Sequence, residues 1–421
     1  MVVLRKLFVS SNFTLRVPTV KQLIALLAAV FSLFPFTTIV DFGTYTQPYA
    51  LLMGMAFIPF AFNTRIDLAS CIALSWLLFF GAILYFQAIG GESPAGPLKY
   101  LVAYLTPFFI VFPAFYLTRY HRTFFCKLVL WSSYLWVIVA VIQIAFDPSF
   151  MTILVRSWSA AGEVVVASGR GVMSLAPEPT TFGFHLIILG ALHYLLSGNG
   201  RVSALIILCS LFLALSSSSL LVLLMAGSIG VAGHIGLKFL GKMLFFGLAA
   251  ILVVYPLVFS FLELEEMAVF RIIDLLMVAY NNPELILVDA SVNTRLGGLF
   301  VAIMECIDRM FIPFGLSHFD WLLERDVLLG KYPFMMGLSN SGFPSGYFIQ
   351  LYQGGFLFIP FLFYMIYKSL SVSLFPSKYR WLILGAIIIP LFQFSFASPT
   401  FWLFWGVFLE RISKGSNLGE Y

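Results

Sequence analysis

The chain has 421 residues, of which 61% are hydrophobic and only 10% are charged, and its formal net charge is +5. This composition excludes a water-soluble globular protein and indicates an integral membrane protein. A helix needs roughly 17–25 apolar residues to cross the hydrocarbon layer of a bilayer, and apolar stretches of that length recur along the sequence.

In chain order, the apolar stretches predict about twelve membrane-spanning helices. They cover residues 20–37, 49–63, 68–88, 98–117, 128–146, 180–197, 202–216, 219–237, 243–262, 344–367, 381–397 and 399–412. The predicted fold is therefore an all-α, polytopic integral membrane protein in which residues 1–421 form a single transmembrane domain.

The basic residues predict the orientation of the chain, because lysine and arginine remain on the cytoplasmic side of short loops. With the N-terminus inside, that side receives most of the 24 basic residues but only Asp67, Glu410 and Glu420 among the 19 acidic ones. Both termini are then cytoplasmic. Two segments on the outer side, residues 147–179 and 263–343, are too long to be turns.

The outer segment 263–343 mixes apolar and charged residues with a helical period, as in ELEEMAVFRIIDLLMVAY. We expect amphipathic helices that lie against the membrane surface or cover a cavity. Long ordered loops on a rigid scaffold commonly carry function, so the chemistry is expected on the extracytoplasmic side.

Two charged residues stand out where the first long outer segment meets the next span, in GRGVMSLAPEPTTFGFHLIILG. Arg170 lies between glycines whose amides could approach an anion, although a flexible loop arginine would have the same sequence pattern. Glu178 lies between prolines. It could take a proton from a sugar hydroxyl, or it could simply mark a helix start, where the helix dipole favours a carboxylate.

Further candidates lie in the second outer segment. Arg295 and Arg309 would share a face of one continuous helix, since almost four turns separate them. An ion pair with Glu305 or Asp308 is the structural alternative for Arg309. His318 could be oriented by the nearby Asp320. The charged stretch ERD at 324–326 has the composition of a solvated loop.

Motifs for other chemistries are missing from the sequence. No spacing of His, Cys and acidic residues is typical of a metal site, and neither a P-loop nor a hydrolase Gly-x-Ser-x-Gly motif occurs. We therefore expect neither a metal nor a cofactor.

The segment RGVMSLAPEPTTFGFHLIILGA resembles the part of Wzy-type O-antigen and exopolysaccharide polymerases in which a glutamate–proline pair opens a span after a long periplasmic loop. NTRLGGLFVAIMECIDRMFIPFGLSHF, followed by GLSNSGFPSGYFIQLYQGGFLFIPFLF, is similar to that superfamily's arginine, amphipathic helix and small polar stretch before a span with a glycine pair. The related O-antigen ligases usually carry His-Asn where this chain has Ser339-Asn340, which favours a polymerase.

The resemblance implies a GT-C-like, metal-independent glycosyltransferase of lipopolysaccharide biosynthesis. A growing glycan would pass from undecaprenyl diphosphate to the non-reducing end of a new lipid-linked repeat unit, at the periplasmic face of a Gram-negative inner membrane. Fixed cations would have to meet the charge of the leaving diphosphate. The arginines assigned to that diphosphate are Arg295, Arg170, Arg309 and Arg156. Arg295 is also counted as catalytic, together with Glu178 as the first candidate for the base and His318 as the second.

Two alternatives remain open: an O-antigen ligase, and a flippase or other transporter of lipid-linked oligosaccharide. Transporters generally place ionisable residues inside their spans, whereas the spans predicted here are nearly free of charge, which favours an enzyme. Besides the undecaprenyl-diphosphate-linked oligosaccharide, the expected partners are membrane lipids and a protein that regulates chain length. Nucleic acid is not an expected partner.

Overall fold

A computed structural model of the protein describes residues 18–40, 42, 46–63, 66–91, 93–155, 171–214, 216, 218–230, 293–340, 342–343, 346–392 and 395–414. Within these ranges the regular secondary structure is helical, and two isolated β-bridges join Thr37 to Val155 and Ser339 to Gly342. The all-helical architecture agrees with the fold class predicted from composition.

The described helices before residue 231 are α1 (Val20–Leu33), α2 (Tyr49–Phe57), α3 (Leu68–Ala88), α4 (Ala95–Tyr120), α5 (Arg122–Ala145), α6 (Pro179–Ser197), α7 (Gly200–Ala214) and α8 (Ser218–Gly230). A 3-10 helix over Ile58–Asn63 continues α2. Local signals set several boundaries. Asp67 accepts the amide of Ser70 at 3.0 Å and so begins α3, and Gly198 ends α6 in the left-handed conformation that glycine favours.

The helices after residue 292 are α9 (Gly298–Asp308), α10 (His318–Lys331), α11 (Gly346–Gly354), α12 (Ile359–Leu370), α13 (Arg380–Ile388) and α14 (Pro399–Ser413). A π turn over Asn293–Gly297 precedes α9. Helices α9 and α10 lie in the segment 263–343, where the sequence predicts amphipathic helices. Residues 263–292 of that segment lie outside the described residues.

Among the residues that the structure describes, four helices, α3, α4, α5 and α6, are long and apolar enough to cross a membrane. Several others, among them α1, α7 and α8, are apolar but shorter. The span expected at 243–262 lies outside the described residues. A helical membrane protein is therefore supported, and the count of about twelve spans stays a prediction.

The core of the bundle is built around α6 and α14. Every residue of α6 from Phe182 to Leu196 is buried, and α14 is buried from Pro399 to Arg411. A helix that is apolar all round must be covered on all sides, and α6 packs against α5, α7, α13 and α14. Trp136 of α5 is fully buried and stacks on Phe182 with ring centroids 6.0 Å apart.

One end of the bundle, here called the basic end, gathers most of the described lysines and arginines. Contacts that define it include the bond from Arg122 Nε to the carbonyl of Leu196, 2.6 Å long, and the Tyr194–Tyr379 ring pair at 5.3 Å. Lys21 lies over the ring of Tyr116, Arg119 and Arg122 flank the junction of α4 and α5, and Lys378 and Arg380 flank Tyr379. The sequence predicts that this end faces the cytoplasm, and the orientation stays a prediction.

The opposite end, here called the loop end, carries α9, α10 and the first turns of α4 and α6. The expected span 344–367 is broken there, because the chain passes from α11 into a 3-10 turn over Gly355–Leu357 before α12 begins. The connection before α10 fills the break. Phe356 donates its amide to the carbonyl of Phe311 at 2.7 Å, and the amide of Phe314 donates to the carbonyl of Tyr352 at 3.2 Å.

Gly355 explains why the break falls where it does. Its φ is +52°, and a Cβ at this position would lie 2.1 Å from the carbonyl oxygen of Phe311. The glycine pair before the C-terminal half of this span therefore permits a close backbone approach. The polar groups released by the break are paired with the connection instead of with the next helical turn.

Candidate functional site

Three of the arginines predicted to bind a diphosphate are described in part or not at all. Arg156 and Arg170 lie outside the described residues. Arg295 lies in the π turn Asn293–Gly297. This turn is bonded to the chain after α10 through the side chain of Asn293. The side-chain nitrogen of Asn293 donates to the carbonyl of Phe334 at 2.7 Å, and its side-chain oxygen accepts the backbone amide of Met336 at 2.8 Å. The backbone that carries Arg295 is thus fixed against the chain that follows α10.

Close packing requires a residue without a side chain at Gly171, next to Arg170. A Cβ there would lie 2.2 Å from the carbonyl carbon of Ala214, and the amide of Val172 donates to the carbonyl of Leu213 at 3.0 Å. The segment that follows Arg170 is therefore held against the end of α7. The approach to an anion that the sequence suggested for this glycine stays a prediction.

Glu178 lies immediately before α6, with Pro179 as the first helical residue, as the sequence predicts. Its carbonyl accepts the amide of Phe182 at 3.1 Å, but its side chain makes no capping bond to the helix amides. The half-buried carboxylate instead accepts the hydroxyl of Thr181 at 3.1 Å. The helix-start interpretation thus accounts for the backbone of Glu178 and leaves its carboxylate able to accept further hydrogen bonds.

His318 is the first residue of α10, which Ser317 begins by accepting the amide of Asp320 at 3.1 Å. Its Nδ1 lies 2.8 Å from the hydroxyl of Tyr100, in the first turns of α4. The sequence suggested Asp320 as the group that orients this imidazole. In the structure the hydroxyl of Tyr100 lies beside the imidazole, and orientation by Asp320 stays a prediction.

Arg309 ends α9 and links it to α10. One of its terminal nitrogens forms an ion pair with Glu324, and its Nε lies 4.0 Å from Glu305. The guanidinium also lies over the rings of Phe314 and Tyr352, 5.2 and 5.5 Å from their centroids. The structural alternative considered for Arg309, an ion pair with Glu305, is therefore present. A diphosphate would have to compete with two carboxylates for this side chain.

Lys331 extends the same network. Its ammonium donates to Glu305 at 2.5 Å and to Asp308 at 2.9 Å, while the hydroxyl of Tyr332 donates to Glu305 at 2.7 Å. These bonds raise the pKa of Lys331 above its usual range. Glu305 is only 5% exposed, so its charge is compensated within the protein.

The stretch 324–326 was interpreted from sequence as a solvated loop, and this is wrong for Glu324. Residues 318–331 form α10, and the Glu324 side chain is only 18% exposed. The hydroxyl of Tyr352 donates to it at 3.2 Å. Because α10 is helical, Glu324 faces α9 and α11, whereas Asp326 two residues later is exposed. The density of charged residues in the sequence does not distinguish these two positions.

Aromatic rings form a recess beside this network, called here the aromatic recess. Its rings are Tyr100, Phe314, Trp321, Phe343 and Tyr352. Phe343 and Tyr352 meet at 5.0 Å and Trp321 and Phe343 at 5.3 Å between centroids. Ser317 and Gln353 add polar groups to the lining, and the cavity volume is about 10 Å³, room for about one water molecule. Tyr100 joins the recess to His318.

The structure therefore brings two of the predicted site residues, His318 and Arg309, to one aromatic cluster at the loop end. Sequence reasoning missed Tyr100 and Tyr352, which lie in apolar spans and carry no local signal. Among the described residues no group of three or more His, Cys, Asp or Glu is arranged to hold a metal ion. The expectation of a metal-free site stays a prediction.

Comparison with known proteins gives no match: no protein family, no curated protein and no solved structure is similar enough to this chain to indicate a relationship.

Proposed function

We propose that the protein is a polymerase of lipid-linked oligosaccharide repeat units, acting at the extracytoplasmic face of a bacterial inner membrane. The observation that carries the proposal is the loop end itself. There a titratable imidazole, an aromatic recess and a charged network lie at one end of an apolar bundle, opposite the end rich in lysine and arginine. By the rule that positive charge stays inside, the loop end faces away from the cytoplasm.

The proposed reaction is a displacement at an anomeric carbon. The hydroxyl oxygen of the acceptor sugar bonds to the anomeric carbon of the donor glycan, and the bond from that carbon to the diphosphate oxygen breaks. The hydroxyl proton passes to Glu178, or to His318 as the second candidate. Undecaprenyl diphosphate leaves with the bonding electrons, and Arg295, Arg170 and Arg156 would meet its charge.

The distribution of charge supports an enzyme over a transporter. In the described spans, charged side chains lie near helix ends, as do Lys99 and Arg119 in α4. Transport paths generally place ionisable residues within the spans. A ligase would share the donor chemistry and differ in its acceptor, so it remains the second candidate on the superfamily resemblance.

The test is to incubate the purified full chain with its lipid-linked single repeat unit in the absence of nucleotide and to separate the products on a gel. The proposal predicts a ladder of evenly spaced multimers. Single repeat units that persist, and that the protein joins to added lipid A-core, would replace polymerase by ligase. Repeat units that only cross the bilayer of vesicles would replace it by transporter.

A further inference from the structure

The basic end carries more positive charge than the carboxylates described there neutralise. Of the carboxylates that the structure describes, Asp67 and Glu410 lie at this end, before α3 and in the last turn of α14. Asp67 pairs with Lys368 at 3.0 Å, and Glu410 pairs with Lys414 at 2.6 Å. The ion pairs between described residues include no cation from the start of α1, the end of α4 or the start of α5. The charge of these cations is therefore available to an external anion.

Two of these cations and three ring side chains form a cluster, here called the cationic junction. Its members are Lys21, Tyr116, Arg119, Tyr120 and His121. The ammonium of Lys21 lies 4.4 Å from the ring centroid of Tyr116, and the rings of Tyr116 and Tyr120 are 5.2 Å apart. The guanidinium of Arg119 lies 6.0 Å from the ring centroid of Tyr120. One aromatic pair thus contacts both cations where α1 meets the end of α4.

Hydrogen bonds hold this cluster in position. The side-chain nitrogen of Gln22 lies 3.0 Å from the Nε2 of His121, and the hydroxyl of Tyr116 lies 3.4 Å from the same nitrogen. These contacts join the first turn of α1 to the residue between α4 and α5. Lys21 and Arg119 therefore project from backbone that is already fixed, so that binding an anion there costs little further conformational freedom.

Apolar side chains beside the cations distinguish a lipid from a free anion. Val20 and Leu23, on either side of Lys21 in α1, are 66% and 47% exposed. Phe124, in the first turn of α5, is 45% exposed. A free phosphate would contact only the charges. A phospholipid also has acyl chains, which can pack on exposed apolar residues while the cations contact its phosphate.

We propose that the cationic junction binds the headgroup of an anionic phospholipid, with the phosphate at Lys21 and Arg119 and the acyl chains against the exposed apolar residues of α1 and α5. The site lies at the end of the bundle opposite the loop end, so the proposal goes beyond the polymerase function and does not depend on it. The attraction between such cations and an anionic lipid is electrostatic and decreases as salt is added.

The experiment compares two phospholipids that differ only in their headgroups. Native mass spectrometry of the full chain in an uncharged detergent measures the binding of dioleoyl phosphatidylglycerol and of dioleoyl phosphatidylcholine at equal concentrations. The anionic phosphatidylglycerol is expected to bind more tightly, and higher ionic strength is expected to weaken its binding. Ammonium phosphate in place of ammonium acetate, at the same ionic strength, is expected not to displace it.

Variants locate the binding. Lys21→Gln and Arg119→Gln each remove one positive charge, and each should weaken the binding of phosphatidylglycerol about fivefold, the contribution of one cation near an anionic headgroup. Lys99→Gln removes the same charge from an exposed position of α4 at the loop end and should leave the binding unchanged. Arg119 is exposed, so Arg119→Gln decides the question if Lys21→Gln does not fold.

The proposal is overturned if phosphatidylglycerol binds no more tightly than phosphatidylcholine, if phosphate displaces it, or if the two junction variants bind it as the wild type does. It is also overturned if Lys99→Gln weakens the binding as much as they do, because the attraction would then come from the net charge of the chain. Lipid binding requires no turnover, so the two proposals fail separately. A chain that binds the lipid at the junction but makes no ladder contradicts the polymerase alone.

Discussion

The hydroxyl of Tyr100 and the Nδ1 of His318 lie 2.8 Å apart, although the residues are separated by 218 positions in the chain. This bond joins the first turns of a long apolar helix, α4, to the first residue of α10. It fixes the direction of the imidazole plane at the edge of the aromatic recess. A histidine held by a second group in this way can exchange a proton with a substrate without first reorienting.

Tyr100→Phe should lower the rate of polymerisation about fivefold, because it removes one neutral hydrogen bond that orients His318. In a His318→Ala background the same substitution should have no further effect, since the partner is already gone. Initial rates of ladder formation for the two single variants and the double variant measure this coupling. Additive losses would show that Tyr100 does not act through His318.

Glu178→Gln should lower the rate by at least about a hundredfold if the carboxylate accepts the proton of the acceptor hydroxyl. Because the side chain makes no capping bond to α6, the folded protein should melt at nearly the wild-type temperature. Arg295→Ala should also abolish polymerisation while the protein still inserts. Normal ladders in both variants would remove these site assignments and leave the fold unaffected.

Glu305→Gln should destabilise the loop end by about 1–3 kcal/mol, because a buried carboxylate that serves Lys331, Tyr332 and Arg309 loses its charge. Asp326→Asn is the matched control. Asp326 is exposed and pairs only with its neighbour Arg325 among the ion pairs of the described residues, so the expected change is below about 0.5 kcal/mol. Thermal unfolding in detergent compares the two variants.

The same network predicts a direction for pH dependence. The folded-state pKa of Lys331 is raised from 10.5 by its bonds to Glu305 and Asp308. The stabilisation that the charged Lys331 provides is therefore present in full below its ordinary pKa of 10.5. It is lost as the pH rises through the higher folded-state pKa. Melting temperatures measured from neutral to strongly alkaline pH should fall more steeply in the wild type than in Lys331→Met. Parallel curves would contradict this contribution.

Gly355→Ala should disrupt folding, since its backbone has a φ of +52° and the new Cβ would meet the carbonyl oxygen of Phe311. Gly330→Ala is the control, because that glycine lies in α10 with open space around it and alanine favours the helix by about 1 kcal/mol. The yield of monodisperse protein and its melting temperature should fall for the first variant and hold or rise for the second.

Cys306 should react slowly with maleimides, because burial raises its pKa to about 11 and only 4% of the residue is exposed. Its rate should increase as the pH is raised towards that value, since the thiolate is the reacting form.

Asp326→Cys, at an exposed position, should instead react quickly from the extracytoplasmic side with a membrane-impermeant maleimide. A cysteine at Lys378, at the basic end, should react only after the membrane is permeabilised.

The sequence predicts the class of fold well because composition and span length are local properties. The start of α6 at Pro179 follows from the same kind of local chemistry. The break at Gly355 could not be predicted, because it depends on the backbone of Phe311 reaching the span from a separate segment. Likewise the pairing of Arg309 with Glu324 and the contact of Tyr100 with His318 depend on how α9, α10 and α4 pack together.

The stoichiometry of the reaction tests the central proposal most directly. Purified protein is given an authentic lipid-linked repeat unit in the presence of a chelator, and released undecaprenyl diphosphate is counted against new glycosidic linkages, with Glu178→Gln as the inactive control. The account predicts one released lipid diphosphate for each linkage formed by the wild type. Repeat units that remain single with no release of lipid diphosphate, or a reaction that stops when divalent metal is removed, would contradict it.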